Sequence, residues 1–176
     1  MRAIRLFFIK QESEDKTMPR LGLTSVGAKF GVAVETTAGV MPTTFKLMEN
    51  CYSVGGSSNE ADQIDVTPIE ENRARRYAKG LGDSGGSKTI GFFLDAQGGI
   101  IDDWKTLKAS SEAARGDGKA TWGEVWFPNS KYAYFFTFEP GELPLSDVEV
   151  AAATQLEISN TVNEEKGWLE GIEPTA

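Results

Sequence analysis

The strongest constraint on the fold of this chain is a strict alternation of residue types near its carboxyl-terminal end. Apolar or small residues occupy every second position from 148 to 158, and polar or acidic residues fill most positions between them. The first set is Val148, Val150, Ala152, Thr154, Leu156 and Ile158, and the second is Glu149, Ala151, Ala153, Gln155, Glu157 and Ser159. Because successive side chains of a strand point to opposite faces, the pattern predicts a long strand with an acid-leaning outer face. We expect this strand to end near Asn160 and a tail to follow it.

Two aromatic-rich segments predict a β-hairpin just before that strand. Residues 120–127 and 131–139 flank the turn sequence Pro128-Asn129-Ser130, which punctuates them. The first segment places Trp122 and Trp126 on one face. The second places four aromatic rings on one face, namely Tyr132, Tyr134, Phe136 and Phe138. Such rows of rings are typical of a core, and an exposed part of one would indicate an interface.

Three further segments carry weaker strand signals. Residues 61–67 place Ile64 and Val66 on one face and end at Pro68. Residues 75–81 form a fainter candidate. Residues 88–94 alternate Ile90, Phe92 and Leu94 with the residues between them.

One helix is predicted over about 100–115. Five apolar residues recur at helical spacing there, namely Ile100, Ile101, Trp104, Leu107 and Ala114. Asp102 and Asp103 near its start and Arg115 at its end match the helix dipole, and Gly116 is a suitable stop. Many strands with a single inserted helix favour a mainly β fold, a β-sandwich or barrel with one flanking helix.

The amino-terminal part of the chain is less regular. Residues 18–50 are rich in Gly, Thr and Pro, which predicts a long extended arm or loop with a short strand at 28–34. Residues 1–17 carry a net charge opposite in sign to the rest, and we expect them to be either a leader preceding a start at Met18 or a flexible arm. We therefore expect one domain over 18–171, followed by a short tail at 172–176.

Composition excludes several classes of function. The 176 residues contain no histidine and one cysteine, so His-dependent triads, ordinary zinc sites and internal disulfides are impossible. We expect no cofactor and no enzymatic activity. The net charge of −8 argues against tight binding of DNA or RNA, and no run approaches the ~20 apolar residues of a membrane anchor.

Some motifs resemble catalytic signatures without the chemistry behind them. Residues 82–86 read Gly-Asp-Ser-Gly-Gly, as around a serine protease nucleophile, but no histidine exists to activate Ser84. Gly80, Gly82 and Gly85 fit a dinucleotide fingerprint, but a strand follows where a helix is required. A pair of carboxylates suited to glycoside hydrolysis needs a spacing that the sequence does not give.

A single basic cluster comprises Arg73, Arg75, Arg76 and Lys79. One interpretation is a solvated loop whose charge is balanced by Glu70 and Glu71. The other is a contact with an acidic patch on a neighbouring copy. The sequence leaves both open.

Three stretches together resemble the major tail tube proteins of long-tailed, siphovirus-type phages. The first is GAKFGVAVETTAG at 27–39 with Pro42-Thr43; the second is QIDVT at 63–67 with Arg76-Tyr77, Gly80-Leu81 and a Gly-Gly turn; the third is GKATWGEVWFP at 118–128, continuing into Phe135-Phe136. Their order and spacing match the family from Met18 to about Gly171. No single stretch is specific, because these are packing residues.

The resemblance implies a structural virion protein. Members of the family form rings, usually hexamers, that stack along a tape-measure protein and are capped by a terminator, and DNA passes through the lumen without specific binding. The resemblance implies assembly in the host cytoplasm and a place in the virion tail. It also implies an inter-subunit arm over 29–44, with Phe30, Glu35 and Pro42 as its most matchable positions. The acidic side of the last strand, at Glu149, Gln155 and Glu157, is the candidate lumen face.

Two alternatives remain at this point. A related tube component or a tail terminator would share the fold and the ring symmetry. A β-sandwich module that binds a ligand or carbohydrate would instead present a platform of exposed Trp and Tyr side chains.

Overall fold

The computed structural model describes residues 22–56, 60–71, 73–83, 86–147 and 152–176. The predictions for residues 1–17 and for Glu149 lie outside these ranges. The described elements are β1 (Lys29–Val34), β2 (Lys46–Leu47), β3 (Cys51–Val54), β4 (Glu60–Asp65), β5 (Tyr77–Asp83), β6 (Ser87–Phe93), α1 (Gly99–Arg115), β7 (Thr121–Trp126), β8 (Tyr132–Glu139) and β9 (Gln155–Glu170). The mainly β fold with one flanking helix is confirmed.

A single seven-stranded sheet forms the body of the molecule. Its strand order is β2-β1-β7-β8-β9-β6-β3, and all of its strand pairs are antiparallel. The edge strands β2 and β3 are separated in the chain by residues 48–50 alone, and Met48 extends the β1–β2 ladder by donating its backbone N–H to the carbonyl of Phe30 at 2.9 Å. The two edges of the sheet therefore come together into a half-barrel.

The main core fills the concave side of this half-barrel. Residues from opposite strands meet there with the buried side of α1: Phe30, Val32, Met48, Ile90, Phe92, Ile100, Trp104, Leu107, Phe136, Phe138, Leu156 and Ile158. Trp104 is fully buried, contacts Phe92 edge-on at 5.7 Å and donates its indole N–H to the carbonyl of Gly141 at 3.0 Å. The helical spacing that predicted α1 is thus the spacing of its buried stripe.

A second, smaller core covers the opposite face of the middle strands. Phe45, Trp122, Ala133 and Phe135 are buried there, with Trp126 and Ile172 packed against them. The prediction that Trp122 and Trp126 share a face is confirmed. Of the four rings expected to share the other face, Phe136 and Phe138 are buried, Tyr134 packs against the main core, and Tyr132 extends beyond it, 51% exposed.

The last strand lies further along the chain than the sequence predicted, since it begins at Gln155 and the described residues 152–154 precede it. The alternation of buried Leu156 and Ile158 with exposed Gln155 and Glu157 is confirmed, but the strand does not end at Asn160. It continues to Glu170, and this second half pairs with β8. The expected tail was wrong here because the charged residues of this segment find partners along the sheet, and Gly167, with φ of 77°, takes up a register shift.

Residues 29–34 also differ from the arm that was predicted over 29–44. The short strand predicted there exists, but it lies between β2 and β7 inside the sheet. Its residues alternate between the two cores, so both of its faces are covered by the same chain. This describes the segment within the single chain, and its predicted contact with a neighbouring subunit stays a prediction.

Gly141 gives a direct test of how α1 is attached to the sheet. A methyl group added there would lie 1.9 Å from the backbone carbonyl oxygen of Ser159, which cannot rotate away as a side chain could. We expect Gly141→Ala to destabilise the protein by about 1–3 kcal/mol or more, through overpacking. Urea unfolding monitored by tryptophan fluorescence measures this.

Gly22→Ala is the matched control, because its added methyl group would meet no atom within 4 Å. An unfolding midpoint for Gly141→Ala equal to that of the control would contradict this packing.

Candidate functional site

The hairpin of β4 and β5 forms a separate two-stranded sheet of its own. Ile64 lies opposite Ala78, and Gln63 lies opposite Lys79. One face therefore carries Ile64, Ala78 and, one step further, Val66. The other face carries Gln63, Asp65 and Lys79, together with Tyr77, which lies opposite Asp65 and is 53% exposed.

The apolar face of this hairpin has no cover within the described part of the chain. Ile64 is 53% exposed, Val66 is 50% exposed, and Ile69 in the connecting loop is fully exposed. An isolated two-stranded hairpin is at best marginally stable in water, and clustered exposed apolar side chains indicate an interaction site. The hairpin is therefore a candidate site of contact with another molecule.

Hydrogen bonds give the base of the loop between β4 and β5 a defined shape. The carboxylate of Asp65 accepts bonds from the hydroxyl and the backbone N–H of Thr67, and these two bonds lower the pKa of Asp65. The hydroxyl of Thr67 in turn accepts the backbone N–H of Arg76 at 2.8 Å. Arg76, at the base of the loop, is thus held beside Thr67.

The predicted basic cluster lies on this hairpin. Arg73, Arg75, Arg76 and Lys79 are all exposed. The guanidinium of Arg76 pairs with Glu71 at 3.2 Å. For this one residue of the four, the charge is balanced as the solvated-loop interpretation expected. The contact with a neighbouring copy stays a prediction.

The outer face of the half-barrel carries the described part of the predicted lumen face. Gln155 and Glu157 are exposed on β9, and the hydroxyl of Tyr52 lies 3.3 Å and 3.2 Å from their side-chain oxygens. Burial and the hydrogen bond to Glu157 raise the pKa of Tyr52, so this hydroxyl stays protonated. The Tyr52 ring lies over Gly91, where a methyl group would come within 2.5 Å of it. The role of this face in a lumen stays a prediction.

Phe30 and Glu35, two of the predicted arm residues, are buried in the fold of their own chain. Phe30 packs in the main core, and Glu35 accepts hydrogen bonds from the Trp122 indole, the Ala120 N–H and the Gly39 N–H. Burial opposes the charge of Glu35, but these bonds outweigh it and lower its pKa. Pro42 is half-buried in the loop that follows. Their role between subunits stays a prediction.

A second buried carboxylate, which the sequence did not reveal, holds the carboxyl-terminal segment. Glu124 is fully buried on β7, and its Oε1 accepts the backbone N–H of Ile172 at 2.8 Å. Its Oε2 has no hydrogen-bond donor among the described residues. Burial raises the pKa of Glu124 to about 7, against the smaller opposing effect of the Ile172 bond. Only its place between Gly123 and Val125 in an aromatic strand hinted that it lies inside.

The described residues contain no group of three His, Cys, Asp or Glu side chains that could hold a metal ion. Within the same ranges, no helix is both long and apolar enough to cross a membrane. The surfaces that stand out as candidates for contact with another macromolecule are the β4–β5 hairpin and the faces of the sheet.

Comparison with known proteins places the fold. No family model matches the sequence, and no curated protein matches it. A chain of the anti-feeding prophage (AFP) baseplate, solved by cryo-EM with 6-fold symmetry, superimposes with a TM-score of 0.50 at 7% identity, covering 88% of this chain and 97% of that one. The SPP1 tail tube, solved by solid-state NMR and cryo-EM, gives a TM-score of 0.47 at 18% identity, covering 88% and 81%. The likeness to the AFP baseplate chain establishes a shared fold.

Glu124 makes a pH dependence testable. A carboxyl group whose pKa is raised on folding contributes stability that is complete below pH 4.5 and is lost as the pH rises through about 7. We expect Glu124→Gln, which cannot ionise, to unfold at a higher urea concentration than wild type at pH 8. The advantage, of the order of 2–3 kcal/mol, should disappear at pH 4.5.

The difference between the two proteins isolates Glu124 from other charges on the same face, which are Glu35, Lys166 over the Trp122 ring, and the Lys29–Glu173 ion pair. Parallel stability curves for wild type and Glu124→Gln across this pH range would contradict the assignment.

Proposed function

We propose that this protein is the structural subunit of a phage-type tail tube, which associates with copies of itself into rings that stack into a hollow conduit. The observation that carries the proposal is the β4–β5 hairpin, whose apolar face is exposed in the single chain. A second copy of the chain would cover that face. The subunit has no catalytic role in this proposal.

The shared fold supports the ring architecture in this proposal. The AFP baseplate structure, which contains a chain of the same fold, is 6-fold symmetrised. By analogy, six copies of this chain would form one ring. Because function does not follow from fold alone, the hairpin, and not the likeness, is the feature to test.

The two ends of the molecule differ in a way that suits head-to-tail stacking. The hairpin leaves the body after Val54 and returns at Ser87, so its root lies at one end of β3 and β6. Glu49 and Asp95 line a hollow at the opposite end of the same two strands, whereas the hairpin carries the basic cluster. Contacts between unlike ends do not close, and so they propagate a filament.

The acidic balance of the chain suits a conduit for DNA. Duplex DNA carries one negative charge per ~1.7 Å of its axis, so a lumen without net positive charge would let it slide. Gln155 and Glu157 would line that lumen. A filament of this kind needs a tape-measure protein to set its length and a terminator to cap it, and it would be part of the virion after assembly in the host cytoplasm.

A second candidate rests on two exposed aromatic side chains. Tyr132 and Trp168 are 51% and 55% exposed and lie on adjacent strands, and Trp168 is stacked on Phe127. Such a pair could stack on a sugar ring, as in a carbohydrate-binding module. A shift of tryptophan fluorescence on titration with oligosaccharides would favour this candidate. Loss of that shift in Trp168→Ala would place the binding site at Trp168.

Self-association is tested by negative-stain electron microscopy of the full chain over rising protein concentration. We expect wild type to form rings or hollow tubes. Ile64→Lys should remain monomeric at concentrations where wild type assembles, because the lysine would be placed where the apolar face meets its partner.

Gln63→Lys is the matched control, since it adds the same charge on the opposite face of the same strand. We expect it to assemble at a concentration close to that of wild type. Equal assembly of Ile64→Lys and Gln63→Lys would rule out the apolar face as the contact, and persistent monomers of wild type would oppose the tube itself.

A further inference from the structure

A buried ion pair lies at the root of the β4–β5 hairpin. The Nζ of Lys88 in β6 is 3.3 Å from Oε1 of Glu165 in β9, and the two side chains are only 3% and 2% exposed. The same Nζ donates to the backbone carbonyl of Gly55 at 3.1 Å and lies over the Phe136 ring at 4.7 Å. One cation thus connects three separate segments of the chain.

Moving the two charges of this pair out of water is unfavourable in free energy, and the pair is not needed to fill the core. Neither oxygen of Glu165 accepts a hydrogen bond from the described residues, so the Lys88 charge is what offsets its burial. Apolar residues of similar volume often replace such pairs without loss of stability, whereas removal of one partner alone is strongly destabilising. A pair of this kind is therefore weak support for stability, which directs attention to what it holds in place.

What it holds are the two strands from which the hairpin emerges. Gly55 is the first residue beyond β3, and Lys88 is the second residue of β6, so these two residues flank the hairpin in the sequence. Backbone bonds from Gly55 N–H to the Thr89 carbonyl at 2.8 Å and from Val162 N–H to the Gly86 carbonyl at 3.1 Å surround the pair. Because β9 is bound to β8 along this stretch, Glu165 belongs to the rigid body of the sheet.

We propose that Lys88 and Glu165 are positioning residues that fix the direction in which the hairpin leaves the body of the molecule. The Lys88 ammonium group binds the Gly55 carbonyl at the end of the outgoing strand and pairs with Glu165. Because Lys88 itself belongs to the returning strand, both strands are held against β9. The consequence for assembly rests on the proposed function, since a misdirected hairpin cannot reach the same place on a neighbouring copy. The direction itself is a property of the single chain.

The test uses the double variant Lys88→Met/Glu165→Leu, which removes both charges and keeps similar volumes. Spin labels at Lys79→Cys on the hairpin and Lys105→Cys on α1, in a Cys51→Ala background, report the distance between hairpin and body by pulsed electron resonance. Both labelled positions are exposed. We expect the distribution of distances in the dilute monomer to be about twofold broader in the double variant.

Thermal unfolding separates positioning from general stability. We expect the double variant to melt within a few degrees of wild type, while its backbone amides at Gly55 and Val162 exchange hydrogen at least tenfold faster, on the order expected for local opening. The matched control is Lys108→Met/Glu142→Leu, which removes a solvent-accessible pair between Lys108 of α1 and Glu142 in the segment after β8. The control should change neither the distance distribution nor these amides.

The outcomes separate this inference from the proposed function. A broadened distribution together with wild-type protein that never assembles would leave the positioning role standing and overturn the tube. A wild-type distribution and wild-type exchange in the double variant, with its fold intact, would overturn the positioning role whether or not the protein assembles. Should the double variant fail to fold, Lys88→Arg, which keeps the cation and its donors, must retain a narrow distribution for the inference to survive.

Discussion

The double pairing of β9 is the constraint on which the rest of the structure depends. Its first half is bonded to β6 and its second half to β8, so one continuous strand turns the corner of the sheet. At the changeover the buried amide of Asn160 donates to the carbonyls of Lys88 and Ile158 and accepts the N–H of Gly141. A polar group fixed on three sides cannot slip by one residue without losing these bonds, which fixes the register of both halves.

This corner decides which apolar surface is left for other molecules. The curl brings Phe30 to within 6.2 Å of the Phe92 ring and leaves α1 to close the main core, while the loop around Phe45 and the segment around Ile172 cover the other face of the middle strands. Both faces of β1, β7 and most of β8 are thereby covered within one chain, whereas Tyr132 at the start of β8 stays 51% exposed. The hairpin emerges beside this corner, since Ser87 pairs with Thr161, and it keeps its apolar face outside.

The sequence predicted those elements whose periodicity alone decides their burial. Trp104 and Leu107 marked the helix, and Ile90 and Phe92 marked their strand, because a core selects apolar residues at regular spacing. The second half of β9 was missed because Glu164, Glu165 and Lys166 look like a solvated segment, and nothing local shows that a distant lysine pairs with the middle one. The hairpin's basic residues were visible as a cluster, but the lack of a cover for Ile64 is a property of the whole fold.

Three of the buried ionisable side chains in the described part of the chain share one task that apolar packing cannot perform. Glu35 binds the loop at Gly39, Glu124 binds the carboxyl-terminal segment at Ile172, and Lys88 binds the hairpin root at Gly55, in each case through a backbone group. Hydrophobic contacts are non-directional and tolerate sliding, whereas a hydrogen bond to a backbone N–H or carbonyl fixes one residue at one place. A subunit that must present loops and a hairpin in the same geometry in every copy needs such fixed points at its periphery. These buried charges, whose desolvation is unfavourable, therefore lie where they fix the direction of a peripheral segment and not where they merely fill a core.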